Sequence, residues 1–239
     1  MAGHSKWANI KHKKGRADAA RGKVFSRITK EIISAVKTGG STDPKTNSRL
    51  RLALQKAKAV NMPNDNIDRN IKKATSADQA DYSEVVYELY GHGGVGLIVE
   101  TLTDNKNRIA SEIRIASNKC GASIANPGAV AFNFDKKGIL QISQDQGSEE
   151  DLFLIATEAG AEDFEAADEV FMVITDPQEL YAVKEKIEES SIEVKEATLE
   201  MIPKVTVPCD ETIVEKNQKL IDWLEDIDDV DHIFHNMEG

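Results

Sequence analysis

The sequence predicts an α+β protein of three domains: an all-α N-terminal domain followed by two α/β domains, the third inserted into the second. Three observations support this fold class. Apolar residues recur at helical spacing within residues 23–74, and after residue 82 the period becomes that of β-strands. The elements expected across residues 138–201 follow the order β-α-β-β-α-β, which is typical of a ferredoxin-like (split βαβ) domain.

The predicted boundaries place the helical domain at residues 1–77 and the ferredoxin-like α/β domain at 136–204. The remaining α/β domain is discontinuous and comprises residues 78–135 together with 205–239. It is expected to be discontinuous because the helix predicted at 213–226 and the strand that follows it cannot close a core alone. They complete a core if they pack on the elements of residues 82–135.

The first domain is predicted to open with an extended or partly ordered arm, residues 3–21, and to continue as three helices. The first helix, 23–38, ends at a Gly-Gly pair, and the second spans 48–59. The third runs to Ala74 from an N-terminal cap at Asn64 or Asp65. One apolar stripe marks the first helix: Phe25, Ile28, Ile32 and Val36. The opposite faces of the helices are rich in lysine and arginine, so the domain is expected to have cationic outer faces.

The α/β elements follow from alternating apolar patterns and capping residues. In the second domain we expect a hairpin of strands 84–90 and 95–101, a helix at 107–120 and a strand at 128–134. In the third we expect strands at 138–143, 163–165, 170–175 and 192–201. Ser148, with Asp151 three residues later, predicts the start of one helix, and Asp176, followed by a proline at the first helical position, predicts the other.

Charge is divided unequally along the chain. Residues 1–75 hold 18 lysines and arginines against 5 aspartates and glutamates, a net charge of +13, whereas residues 76–239 have a net charge of −24. Because salt screens charges beyond about 8–10 Å, a polyanion responds to the local patch it meets and not to the overall charge of −11. The sequence therefore predicts a nucleic-acid-binding module joined to an acidic body.

The candidate nucleic-acid-binding residues are cations of the arm and of the helical faces, with Trp7 and His12. They are Lys6, Trp7, Lys11, His12, Lys13, Lys14, Arg16, Arg21, Lys23, Arg27, Lys30, Lys37, Arg49, Arg51 and Lys58. The alternative is a solvated basic tail whose Trp7 packs on a neighbouring helix instead of stacking on a base. Reversing the charges of Lys23, Arg27 and Lys30 is predicted to abolish binding and to leave the fold intact.

Other chemistry is not favoured by the sequence. Gly91–Gly96 matches the dinucleotide-binding pattern G-x-G-x-x-G, but a strand follows it instead of a helix, so a hairpin turn is the better interpretation. Cys120 and Cys209 stand alone and predict no zinc site. No nucleophile–base pair stands out. We therefore expect no catalytic residue, metal, cofactor or small-molecule substrate, and a cytoplasmic protein without a membrane segment.

The C-terminal acidic run has two interpretations. Its residues are Asp222, Glu225, Asp226, Asp228, Asp229 and Asp231, followed by His232 and His235. A divalent-cation site requires converging ligands, which such dispersed carboxylates rarely supply. A solvated acidic face is the favoured interpretation. It would keep the body away from nucleic acid or meet the basic surface of a protein partner.

Several motifs are similar to those of the YebC family, and the similarity covers essentially the whole chain. They are the opening MAGHSKWANIKHKK, Arg49-Leu50-Arg51, Asn61-Met62-Pro63, Tyr87–Gly91, Asp104–Arg108 and Asp228-Asp229-Val230. The resemblance implies a helical domain and two α/β domains around a cleft. It also implies a probable transcriptional regulator that binds DNA, as bacterial members are described. Mitochondrial relatives are translational activators, and some bacterial members resemble ribosome-associated factors that relieve stalling at proline-rich stretches.

Three functional hypotheses follow. The first is a non-enzymatic regulator of gene expression that binds DNA through the basic domain. The second is a ribosome-associated translation factor that binds ribosomal RNA. Outward residues that are mostly lysine and arginine favour contacts to backbone and shape over the reading of base edges, which suits structured RNA. The third, a metal- or nucleotide-dependent enzyme, would need a ligand in the cleft.

Overall fold

A computed structural model of the protein describes residues 20–76, 81–167 and 169–238. They form α-helices, two four-stranded antiparallel sheets and one short parallel strand pair, so the predicted α+β class is confirmed. The described chain divides into two compact units. One is Asn133–Lys204, and the other described residues, including the N-terminal helices, make up the first unit.

The N-terminal part of the first unit consists of α1 (Ala20–Gly39), α2 (Ser48–Ala59) and α3 (Asn64–Ala74). Its core contains the predicted apolar positions, among them Ile28, Ile32, Leu50, Ala53 and Ala57. The buried Asn47 caps α2 by accepting a hydrogen bond from the Leu50 amide (3.0 Å) and donates to the Ala35 carbonyl (2.8 Å). The cap predicted for α3 is absent, because Pro63 occupies the N-cap position without a side-chain bond.

The hairpin that follows is formed by β1 (Ser83–Tyr90) and β2 (Gly96–Thr103), then come α4 (Lys106–Cys120) and β3 (Ser123–Ile124). The glycine-rich segment between β1 and β2 is a turn, as predicted, with positive φ at Gly93 (69°) and Gly94 (84°). The α4 cap is Asn105, whose side chain accepts from the amides of Asn107 and Arg108. The glycine pattern therefore shapes a turn, without the helix that a dinucleotide site requires.

The prediction of a strand at 128–134 is wrong, since this segment forms a series of turns up to Phe134. The cause is Glu88, a buried side chain on β1. Its carboxylate accepts hydrogen bonds from the amides of Gly128 (2.5 Å), Val130 (2.6 Å) and Ala131 (2.8 Å). Burial opposes the charge of Glu88, but the three amides outweigh that effect and lower its pKa. Amides that converge on one carboxylate are not available to pair with a neighbouring strand.

The second unit has the order β4 (Phe134–Ser143), α5 (Glu149–Ala159), β5 (Asp163–Ala167), β6 (Val170–Thr175), α6 (Leu180–Glu189) and β7 (Val194–Pro203). Its antiparallel sheet runs β5-β6-β4-β7, the ferredoxin-like arrangement that the element order predicted. Ser148 caps α5 as expected. The second helix begins later than predicted, because Asp176 forms a turn with the amides of Gln178 and Glu179 before it.

The C-terminal segment returns to the first unit as β8 (Val207–Pro208), α7 (Glu211–Asp226), β9 (Val230–His235) and β10 (Met237–Glu238). Strand β9 pairs with β2 and completes a sheet of order β3-β1-β2-β9, and α7 shares a core with α4. The fully buried Asn217 of α7 accepts from the His92 amide (2.8 Å) and donates to the His92 carbonyl (3.1 Å). These bonds fix the hairpin turn to α7.

Candidate nucleic-acid interface

The predicted site residues are distributed over two parts of the sequence. Those of the arm, namely Lys6, Trp7, Lys11, His12, Lys13, Lys14 and Arg16, lie outside the described residues. Arg21 and Lys23 belong to the first turns of α1, but their side chains are also outside the description. The six that remain fall into three groups of two according to their partners: Arg27 and Lys30, Lys37 and Arg49, and Arg51 and Lys58.

The cationic face of α1 contacts the acidic C-terminal segment. The Lys30 ammonium donates to the Asp229 carboxylate (2.7 Å) and to the Asp228 carbonyl (2.8 Å), and the Lys30 side chain is only 13% exposed. The Arg27 guanidinium lies 3.9 Å from the Asp231 carboxylate. The expectation that this face of α1 points outward is therefore wrong for Arg27 and Lys30, because their partners belong to the same chain.

Asp229 is the centre of this contact. Its side chain is 4% exposed and also accepts from the Arg108 guanidinium (2.5 Å) and the Thr103 hydroxyl (2.8 Å). Burial opposes the charge of Asp229, but the hydrogen bonds from Lys30, Arg108 and Thr103 outweigh it and lower its pKa. The favoured interpretation of a solvated acidic face does not hold at Asp229, which is a buried ion-pair partner.

A second half-buried pair extends the contact onto α2. The Lys56 ammonium lies 3.0 Å from the Glu31 carboxylate. Burial raises the pKa of Glu31, and the nearby charge of Lys56 only partly offsets this. Burial also opposes the charge of Lys56, but Glu31 and Asp231 outweigh it and raise the Lys56 pKa. We call Arg27, Lys30, Glu31 and Lys56 with Asp229 and Asp231 the ion-pair seam.

Two further candidates form exposed pairs with acids near the start of β1. Lys37 donates to Asp81 (2.6 Å), whose side chain is 87% exposed. Arg49 pairs with Glu84, and both side chains are more than half exposed. Pairs of this kind contribute about 0–1 kcal/mol, so they hold their cations only weakly.

The other exposed cations of this region form no ion pair with any described residue. Arg51 and Lys58 of α2 belong to this group, and they lie on one face of the helix, seven residues apart. Four cations that the sequence analysis did not select share the property. They are Lys45, Arg69, Lys72 and Lys73. These six exposed cations are here called the open cationic surface.

Helix α3 also carries polar side chains that sequence reasoning missed. Asn66, Arg69, Asn70 and Lys73 recur at i, i+3, i+4 and i+7 and therefore share one face, while Ile67 faces the core. This spacing is visible in the sequence and could have identified them. A recess of about 190 Å³ lies beside this face. It is lined by Phe25, Thr29, Met62, Asn66, Arg69 and Asn70.

A larger cleft of about 610 Å³ lies in the first unit beside the ion-pair seam. Its carboxylates outnumber its cations, which are Lys30 and Arg108. The carboxylates belong to Asp104, Glu112, Asp226, Asp228 and Asp229. Trp223 and Ile115 also line it and are 42% and 50% exposed. An acidic lining repels phosphate, so this cleft is not a suitable nucleic-acid site.

Within residues 20–76, 81–167 and 169–238, no three histidine, cysteine or acidic side chains are grouped as metal ligands would be. None of the helices in the described part of the chain combines the length and the apolar composition that a membrane span requires.

Known proteins are similar to this chain along its whole length. It is 63% identical to a probable transcriptional regulatory protein of Protochlamydia amoebophila over 238 residues, which cover 100% of this chain and 97% of the relative. Proteins of the same name from Chlamydia pneumoniae and Chlamydia abortus are 57% and 55% identical and cover 99% of this chain and 100% of each relative.

A solved structure supports the fold. The crystal structure of a conserved hypothetical protein from Aquifex aeolicus matches with a TM-score of 0.86 and 42% identity, covering 98% of this chain and 97% of that one. The family model for the TACO1/YebC N-terminal domain matches residues 5–77, and the model for the second and third domains matches 82–237. The chain therefore belongs to the TACO1/YebC family, as the sequence motifs indicated.

Proposed function

We propose that this protein is a non-enzymatic regulator of gene expression that binds DNA through its basic N-terminal region. The observation that carries the proposal is the open cationic surface, whose six exposed cations have no described carboxylate partner although the whole chain carries a net charge of −11. The names of the close relatives, probable transcriptional regulatory proteins, support the regulatory role.

The binding mechanism is electrostatic. Each lysine or arginine that neutralises a phosphate releases condensed counterions, so the affinity should fall steeply with salt. The ammonium groups of Lys58, Lys72 and Lys73 act as point charges and fix no base sequence. The acidic cleft repels phosphate, so the polyanion is expected to bind at the open cationic surface. Such a regulator acts in the cytoplasm, where bacterial DNA and ribosomes are found.

Ribosomal RNA is the second candidate ligand. The observation in its favour is the composition of the exposed α2 face, where Arg51 and Lys58 suit backbone and shape contacts. In this case the protein would act as a ribosome-associated translation factor, the alternative that the family resemblance implies.

The test measures binding of the full chain to a duplex DNA and to a ribosomal RNA fragment by fluorescence anisotropy across salt concentrations. We expect the Arg51→Glu/Lys58→Glu variant to lose affinity and to reduce the log–log salt slope by about 0.9 per lost DNA phosphate contact. The control is Lys216→Glu/Lys219→Glu, which makes the same charge change on exposed residues of α7. Equal loss in both variants would contradict the proposal, since overall charge would then explain the binding.

The ligand class is decided by crosslinking in cells. Nucleic acid crosslinked to the protein is recovered and sequenced. Enrichment of particular DNA sites supports transcriptional regulation, and dominance of ribosomal RNA supports the translational role.

We further infer that the acidic cleft binds a basic segment of a protein partner. The excess of carboxylates supplies the complementary charge, and Trp223 supplies an aromatic surface on which a lysine or arginine side chain can lie. Trp223→Ala in an affinity-capture experiment should lose a basic partner that the wild-type protein retains. Retention of every partner by this variant would contradict the inference.

A further inference from the structure

The recess beside α3 is lined by both apolar and polar side chains. Met62 is almost fully buried, and Phe25 forms part of the wall. Asn66 and Asn70 are half-buried, whereas Arg69 is exposed at the rim. Amide side chains are the groups that hydrogen-bond to base edges, and guanidinium groups bind phosphate or stack on bases.

The size of the recess limits what it can hold. Its volume of about 190 Å³ is well below the roughly 300 Å³ at which pockets for drug-sized ligands begin. It therefore has room for one planar ring system but not for a complete nucleotide with its sugar and phosphate. Lys73, on the same face of α3, is placed for the adjoining backbone.

The hydrogen-bonding state of the two asparagines leaves groups available for a ligand. Asn70 donates to the Thr29 hydroxyl (3.0 Å), which fixes the orientation of its amide and leaves its carbonyl oxygen to accept. The Asn66 side chain bonds to no described residue, so its donor and its acceptor are both available. The carbonyl oxygen of Asn70 can accept a hydrogen bond from a base, and the amide of Asn66 can both donate and accept. Together they can recognise a base edge that carries both a donor and an acceptor.

The recess lies away from the ion-pair seam. Phe25 is five positions from Lys30, which places the two side chains about 140° apart around α1. A ligand in the recess consequently meets Arg69 of α3 and not the carboxylates that hold Lys30.

We propose that the recess between α1 and α3 holds a single unpaired base of a bound nucleic-acid strand, with Asn66 and Asn70 contacting the base edge and Arg69 the adjoining phosphate. This inference rests on the proposed function and adds a ligand class to it. A base paired in a duplex cannot enter, so the recess selects strands with a bulge, a loop or a melted position.

The experiment compares a fully paired hairpin with the same hairpin carrying one bulged adenine, prepared both as RNA and as DNA, each binding to the full chain at fixed salt. We expect the wild-type protein to bind the bulged form about five- to tenfold more tightly, the discrimination that one well-formed base contact supplies. Asn66→Ala should remove this preference and leave the affinity for the paired hairpin unchanged. Asn64→Ala, an exposed asparagine of α3 outside the recess, is the matched control and should keep the preference.

The outcomes separate the two proposals. Binding to neither hairpin would contradict the proposed function. Equal binding to both hairpins, or a bulge preference that survives in Asn66→Ala, would overturn the base-binding recess while the proposed function stands. Asn66 makes no described side-chain bond, so its removal should not affect folding, and a thermal melt of each variant verifies this.

Discussion

Helices α1 and α2 have similar cationic faces in the sequence, but the structure uses them differently. On α1, Arg27 and Lys30 face the carboxylates of Asp231 and Asp229 and are largely covered. On α2, Arg51 and Lys58 are exposed and pair with no described residue. The difference shows that a row of basic residues in a sequence indicates only that these cations need an anionic partner. Whether the anion is a phosphate or a carboxylate of the same chain depends on tertiary packing.

The largest effect is expected on the free energy of unfolding, when the buried ion pairs of Asp229 are removed. Asp229→Ala would leave Lys30 and Arg108 without their shared carboxylate, and removing one partner of a buried pair costs about 3–5 kcal/mol. Chemical denaturation should show this loss in the free energy of unfolding. Asp228→Ala is the control, because Asp228 is exposed and only its main-chain carbonyl contacts Lys30. A loss below 1 kcal/mol in Asp229→Ala would mean that the seam is not a structural element.

A direct comparison of the two helices comes next. Lys30→Glu places a second carboxylate beside Asp229 and should destabilise the protein by about 3 kcal/mol. Lys58→Glu, the same change on the exposed α2 face, should alter stability by about 0.5 kcal/mol or less and weaken nucleic-acid binding instead. Urea denaturation of the two variants measures the contrast. Equal free energies of unfolding in the two variants would support the original expectation that charge reversal on α1 leaves the fold intact.

The comparison also explains how far the sequence could predict the structure. The helices of the first domain, the hairpin and the ferredoxin-like order follow from local periodicity and capping residues such as Ser148. The segment after Gly128 was mispredicted because its conformation depends on Glu88, a residue 40 positions earlier. No local pattern reports such a contact.

In the candidate site, too, features set by local periodicity could be predicted, and features set by contacts distant in the sequence could not. Exposure of Arg51 and Lys58 on α2 follows from helical periodicity, because Leu50 and Ala53 occupy the buried face. The burial of Lys30 depends on Asp229, which is 199 residues away in the sequence. The polar face of α3 could have been found, since the spacing of Asn66, Arg69 and Asn70 is local.

Acid pH should weaken the ion-pair seam, because Asp229 must be ionised to hold its cations. The pKa of Asp229 lies below its usual 3.8 in the folded protein, so its contribution is complete above the unfolded-state pKa and is lost as pH falls through the folded value. Charge-assisted hydrogen bonds of this kind contribute about 1.5–3 kcal/mol. In thermal melts between pH 7 and pH 2, the stability difference between wild type and Asp229→Asn should therefore shrink below pH 4. A difference that stays constant with pH would exclude Asp229 as the titrating group.

The smallest effect is expected at Arg49. This residue is intermediate between the covered cations of the ion-pair seam and the exposed cations that form no ion pair. Its pair with Glu84 is exposed on both sides, so Glu84→Gln should change the free energy of unfolding by less than about 1 kcal/mol. The substitution frees Arg49 for phosphate, and one added DNA contact steepens the log–log salt dependence of binding by about 0.9. Glu158→Gln, the same charge change on an exposed residue of α5, is the control and should leave the slope unaltered. An unchanged slope in Glu84→Gln would mean that Arg49 contacts no DNA phosphate even when it is released from Glu84. A loss of several kcal/mol in the free energy of unfolding would mean that the Arg49–Glu84 pair is a structural contact like those of the ion-pair seam.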